Sequence, residues 1–110
     1  MTTSRKPVSP GTMLTEEFMV PLALTQTALA RAMGVERRLV NEICVGKRAI
    51  TADMALMLAR VFGNTPDFWL NTQRRTDLWE ALHDTKRRAR IARAKPLVRV
   101  AREPTPPSSA

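Results

Sequence analysis

Four neighbouring side chains have the hydrogen-bonding chemistry to read another molecule: Arg37, Arg38, Asn41 and Glu42. Arginine can donate two bonds to O6 and N7 of guanine, and glutamate can accept from N4 of cytosine. Val40 and Ile43 are apolar and three residues apart, so a helix here turns them inward and leaves those four pointing elsewhere. Glu42 has a second possible role, holding an arginine in place. Lys47 and Arg48 follow Gly46 in a loop that can lie along a phosphate backbone, which sets register without reading bases. Chemistry of the catalytic kind finds no comparable set. One His, one Cys and scattered carboxylates supply no nucleophile-base pair, no Gly-rich phosphate loop and no metal cluster. The expectation is a binding protein with no cofactor and no metal, not an enzyme.

The elements that must carry these residues flank Gly34. Before it, Leu29, Ala30 and Met33 gather on one helix face. Thr25 caps that helix, with Leu24 and Leu29 placed as a hydrophobic staple. Gly34 takes the left-handed conformation that ends a helix, Val35 plugs the corner, and a second helix begins near Glu36. Glutamate caps less well than serine or threonine, so that helix is expected to fray at its start. Two packed helices on so short a turn, the second presenting forked side chains, form a helix-turn-helix, a device for placing a helix in the DNA major groove.

Around this hairpin the same rules mark further helices. Ser9-Pro10 opens one that presents Leu14 and Phe18 inward, with Glu16 and Glu17 outward, until Pro21 stops it. Thr51 and Asp53 open another, with Ala55, Leu58, Ala59 and Phe62 as its core stripe and Gly63 as its end. Met54 and Met57 add apolar filler. Thr65-Pro66-Asp67 starts a fifth. There Phe68, Trp69 and Leu70 put large apolar groups on more than one face, and Leu78, Trp79 and Leu82 continue the pattern to His83. Phe68, Trp69, Leu78 and Trp79 are therefore expected to meet a second copy across a two-fold axis.

The net charge is +8 over 110 residues, but its placement is uneven. Lys86 to Arg102 holds eight basic residues and no acidic one, while ten face ten elsewhere. The head must bind DNA through a local cluster, helped by the long-range pull of the tail. The expected organisation is a flexible arm over residues 1–8, a helix-turn-helix domain over 9–84, a basic extension over 85–102 and a disordered tail over 103–110. The single cysteine, Cys44, excludes an internal disulfide and fits a small apolar role in a reducing cytoplasm. With no membrane-length apolar run and no signal-peptide core, the chain reads as soluble and cytoplasmic.

Gln26, Leu29, Ala30, Met33, Gly34, Val35, Val40, Ile43 and Gly46 together resemble the Cro and phage-repressor-like, or Xre, helix-turn-helix family. That resemblance implies that Gln26, beside a helix N-terminus, grips a DNA phosphate, and it puts base contacts on Arg37, Arg38 and Glu42. A longer match is similar to the HigA antitoxins: Arg48-Ala49-Ile50-Thr51-Ala52-Asp53, Ala55-Leu56, Leu58-Ala59-Arg60, Phe62-Gly63, Phe68-Trp69-Leu70-Asn71 and Gln73, with Pro10-Gly11 and Glu16-Glu17-Phe18 upstream. Ser9, where histidine is frequent in that family, and the basic C-terminal extension depart from it. The resemblance implies an all-α fold built on a five-helix phage-repressor-like domain; the basic C-terminal extension is read as helical from its own residues, good helix formers from Lys86 to Lys95. It also implies a homodimer that represses an operon by binding double-stranded operator DNA and that neutralises a RelE-like ribonuclease toxin, HigB. The exposed acid pair Glu16 and Glu17 would suit a basic ribonuclease and is the expected toxin contact. A stand-alone Xre-type repressor without a toxin partner is the alternative. RNA binding by the arginine-rich segment ranks lower, because that segment lacks stacking aromatics.

Overall fold

The computed structural model describes residues 5–98, and every regular element among them is helical. In order these are α1 (Pro10–Thr12), a π-helical stretch (Met13–Met19), α2 (Gln26–Met33), α3 (Arg37–Cys44), α4 (Ala52–Phe62), α5 (Pro66–His83) and α6 (Thr85–Ala92). The all-α expectation holds, with α6 beginning beyond Asp84 in the stretch expected as a basic helical extension. The chain divides into two compact units between Glu80 and Ala81. Residues 1–4 of the expected arm, the end of the basic stretch past Val98 and the proline-rich tail lie outside the described residues.

Helix starts follow local hydrogen-bond chemistry. The hydroxyls of Ser9, Thr25, Thr51 and Thr65 accept from the backbone N–H three residues on, at 3.0–3.3 Å, each satisfying one orphan donor of a first turn. The first helix does not continue as expected. After one α-turn it widens, and the Val20 N–H donates five residues back to the Thr15 carbonyl at 2.9 Å. The wider turn buries Leu14 and Met19, five apart, with Phe18 half-buried beside them, so Met19 joins the face expected to hold only Leu14 and Phe18. Glu16 and Glu17 stay outward. The chain leaves this stretch through Ala23 at φ 52°, with the Leu24 N–H bonded to the Met19 carbonyl at 2.8 Å. A side-chain-bearing residue in this left-handed region costs roughly 1–2 kcal/mol, a strain that sequence spacing alone does not reveal.

The core of the first unit closes on Leu14, Leu29, Val40, Ile43, Leu58 and Trp69, all but fully excluded from solvent. Phe18, Phe62 and Phe68 surround Trp69 with ring centroids 4.9, 6.0 and 5.0 Å from its own, tilted or edge-on as aromatic quadrupoles prefer. The indole Nε1 donates to Asn64 Oδ1 at 3.0 Å, so the one polar atom of this buried ring is satisfied. The expectation that Trp69 meets a second copy is therefore overturned: its surface is used up within its own chain. Phe68 is half-buried in the same cluster, and Trp79 is half-buried with the Lys6 ammonium 5.5 Å over its ring. Leu78, 57% exposed, is the one of the four expected interface residues left open to solvent.

Gly11 seats the first helix on α3. A Cβ built there would lie 2.6 Å from the Cys44 carbonyl oxygen and closer still to that of Ile43. Here glycine is required for close backbone approach, not for its dihedral freedom. Beside this contact the half-buried Cys44 thiol points at the Met19 sulfur, 3.9 Å away, in keeping with a packing role.

Candidate nucleic-acid interface

The candidate face is built from the turn outward. Gly34, at φ 79°, ends α2 with its N–H and that of Val35 both bonded to the Ala30 carbonyl, at 2.8 and 2.9 Å. These bonds occupy the Ala30 carbonyl in the last turn of α2 and aim the chain directly into α3. Glu36 occupies the N-cap of α3 without a side-chain cap bond, as the weak capping of glutamate predicts. The helix has eight residues. At 1.5 Å per residue that is about 12 Å, close to the width of a B-DNA major groove. Val40 and Ile43 anchor one side in the core, and Arg37, Arg38 and Asn41 stand exposed on the other.

Those exposed residues are tied into two networks. Gln26, in the first turn of α2, accepts at Oε1 from Arg37 Nη1 and from Asn41 Nδ2, both at 3.3 Å. A single amide thus spans the two helices of the motif and restrains two of the expected reading side chains. Glu42 heads the other network. Its Oε1 accepts from both Arg48 Nε and Arg48 Nη2 at 2.8 Å, and its Oε2 lies 3.9 Å from Arg38 Nε. Of the roles weighed for Glu42, holding an arginine is the one realised here, and the arginine it holds most closely is Arg48. Arg38 keeps 79% of its side chain in solvent, leaving its guanidinium fork open.

Two residues support this face that pattern reasoning did not single out for the task. Gln73 of α5 accepts the Ile50 N–H at 2.8 Å and donates to Asp77 Oδ1 at 2.9 Å, pinning the end of the loop that carries Lys47 and Arg48. Gly46, at φ 80°, sets the other end, with the Lys47 N–H bonded to the Glu42 carbonyl at 2.8 Å. The only sequence trace of Gln73 was its place in the longer family-like match. Gly11, under α3, is the other.

The expected site residues thus divide. Gln26, Arg37, Arg38, Asn41, Glu42, Lys47 and Arg48 come together around one helix and its exit loop. Glu16 and Glu17 lie on the π-helical stretch, exposed, with exposed Val20 and Leu22 following. Among the described residues no group of His, Cys, Asp and Glu is arranged to hold a metal, and no helix is long and apolar enough to cross a membrane.

Known proteins share this fold. A family model described as Helix-turn-helix matches residues 16–69, from the π-helical stretch into α5. The antitoxin HigA-1 of Vibrio cholerae is 45% identical over 86% of this chain and 88% of its own. The solved structure of Pseudomonas aeruginosa antitoxin HigA with the higBA promoter superposes with a TM-score of 0.75 at 35% identity, covering 84% of this chain and 99% of that one. The antitoxin GraA in complex with its operator superposes with a TM-score of 0.79 at 36% identity, over 90% of this chain and 99% of that one.

Proposed function

We propose, on the premise that this chain belongs to the HigA family of helix-turn-helix DNA-binding regulators, that it is an antitoxin binding a palindromic operator as a homodimer. By that binding it represses the operon that encodes it, and it neutralises a RelE-like ribonuclease toxin of the HigB kind. The observation that carries the DNA half is the Gln26-Arg37-Asn41 network, which restrains reading groups on the solvent side of a core-anchored helix before any DNA arrives. Preorganisation of this kind lowers the ordering cost of binding. Two relatives of the same fold, solved with a promoter and with an operator, support DNA binding.

On this reading Arg38 reads a base and Lys47 grips a phosphate. Arg38→Ala should cost about 1–3 kcal/mol on the operator and relax preference at one base pair. Lys47→Ala should weaken all sequences alike and lower the salt slope of binding by about one. Titrations against the operator and its point variants at several salt concentrations separate the two. Equal losses on every sequence for Arg38→Ala would make it a phosphate clamp and would mean a rotated reading face.

The toxin half rests on family membership and on the exposed acid pair. A basic ribonuclease would be steered to Glu16 and Glu17, with Val20 and Leu22 adding apolar contact. Reversing both charges, Glu16→Lys with Glu17→Lys, should slow association with the toxin about tenfold or more at low salt and leave operator binding intact. Unchanged toxin kinetics would remove the acid pair from the interface. A wild-type chain that binds its operator yet never engages the product of the adjacent toxin-sized reading frame would instead be a stand-alone repressor.

A further inference from the structure

The second unit presents a helix that buries nothing. Every residue of α6 is exposed, and Asp84 caps it by accepting the Arg87 N–H at 2.9 Å. A helix this short does not persist on its own propensity, and packing in its own unit does not bury a face of it. Its side chains are patterned nonetheless. Lys86, Arg90 and Arg93 recur at i, i+4 and i+7 and so share one side, while Thr85, Ala89 and Ala92, one position back, make the neighbouring side small. Six cations fall between Lys86 and Lys95 with no acidic residue among them. Glu42 pairs with Arg38 and Arg48, and among the described residues no ion pair involves a cation of α6.

From this we infer that α6 is a second DNA contact, a sequence-independent arm that grips phosphates of the duplex flanking the base pairs read by α3. Charge complementarity selects the occupant. A row of unneutralised cations with no apolar anchor larger than Ile91 suits a phosphate backbone and gives a protein partner little to desolvate. The inference rests on the DNA-binding half of the proposed function and goes beyond it, because α3 and its exit loop need no such arm to read an operator.

The test uses the full chain and a variant carrying Lys86→Gln, Arg90→Gln and Arg93→Gln, in which glutamine keeps helix propensity and removes charge. Each is titrated by fluorescence anisotropy at several salt concentrations. The probes are a minimal duplex selected by the wild-type chain from a random library and the same duplex lengthened by about one helical turn on each side. The expected result is tighter wild-type binding to the long duplex than to the short one. The triple variant should lose that gain, with its salt slope on the long duplex lower by roughly two to three and its affinity for the short duplex unchanged. Equal slopes for wild type and variant on the long duplex would overturn the inference. So would an equal loss on both duplexes, which would place α6 at the core site, or a variant that keeps its slope while losing its protein partner. Failure of the wild-type chain to select any duplex would instead strike the DNA-binding reading itself.

Discussion

Gly11→Ala will cost the fold about 2–3 kcal/mol and lower the thermal midpoint by roughly 10–20 °C, a large effect for one added methyl group. The reason is what the new Cβ would meet. Its nearest atoms are the carbonyl oxygens of Ile43 and Cys44 in the last turn of α3, and backbone cannot rotate aside as a side chain can. Either the first helix lifts from α3 or α3 shifts against its anchors Val40 and Ile43. With α3 carrying the proposed reading face, operator affinity should fall even at a temperature where the variant remains folded. Thermal unfolding followed by circular dichroism, together with operator binding in the cold, checks both parts. A midpoint within a degree or two of wild type would mean that the first helix is not seated on α3 in this way.

Trp69→Ala will cost more, about 3–5 kcal/mol, because it empties the centre of the aromatic cluster and removes the partner of Asn64 Oδ1. That is a large part of the 5–15 kcal/mol that holds a typical domain together, so the variant should be substantially unfolded near 37 °C. Leu78→Glu makes the contrast. Leu78 is solvent-exposed in a single chain, so its replacement should leave the midpoint nearly unchanged; if the dimer forms on that side of α5, the replacement should separate the subunits. Sedimentation velocity and thermal melts on the two variants distinguish fold from assembly. A Trp69→Ala chain that melts like wild type but sediments as a monomer would return Trp69 to an interface.

The contrast between Trp69 and Leu78 also marks where sequence reading runs out. Three consecutive apolar residues, Phe68, Trp69 and Leu70, cannot all face one way on a helix, and their order does not say which face the core claims. That was decided by Phe18 and Phe62, which arrive from other elements. The same limit hid the π-helical turn: Leu14, Phe18 and Met19 fit spacings of four and five equally well, and packing against α3 chose the wider one. The roles of Gln73 and Asn64 are not legible in sequence because their partners, the Ile50 amide and the Trp69 indole, are joined to them by tertiary structure or by a turn. What was legible is what local chemistry controls. Ser9, Thr25, Thr51 and Thr65 cap as their hydroxyls predict, and Gly34 and Gly63 end their helices in the left-handed conformation. The outward face of α3 was readable for the same reason, since Val40 and Ile43 fix its rotation.

The grip of Glu42 on Arg48 gives this chain a built-in counterion. To take a phosphate, Arg48 must first leave a carboxylate that it holds through two nitrogens at 2.8 Å, so the cation released from the DNA is offset by the cation that the freed carboxylate draws. Exposed pairs of this sort are worth about 0.2–1 kcal/mol, so the exchange is cheap, but its stoichiometry differs from that of the proposed Lys47 contact, a cation with only mobile ions around it. Counting phosphate contacts from a salt titration would then undercount them by about one. Replacing Glu42 by glutamine would restore the missing ion and steepen the titration without adding a single contact.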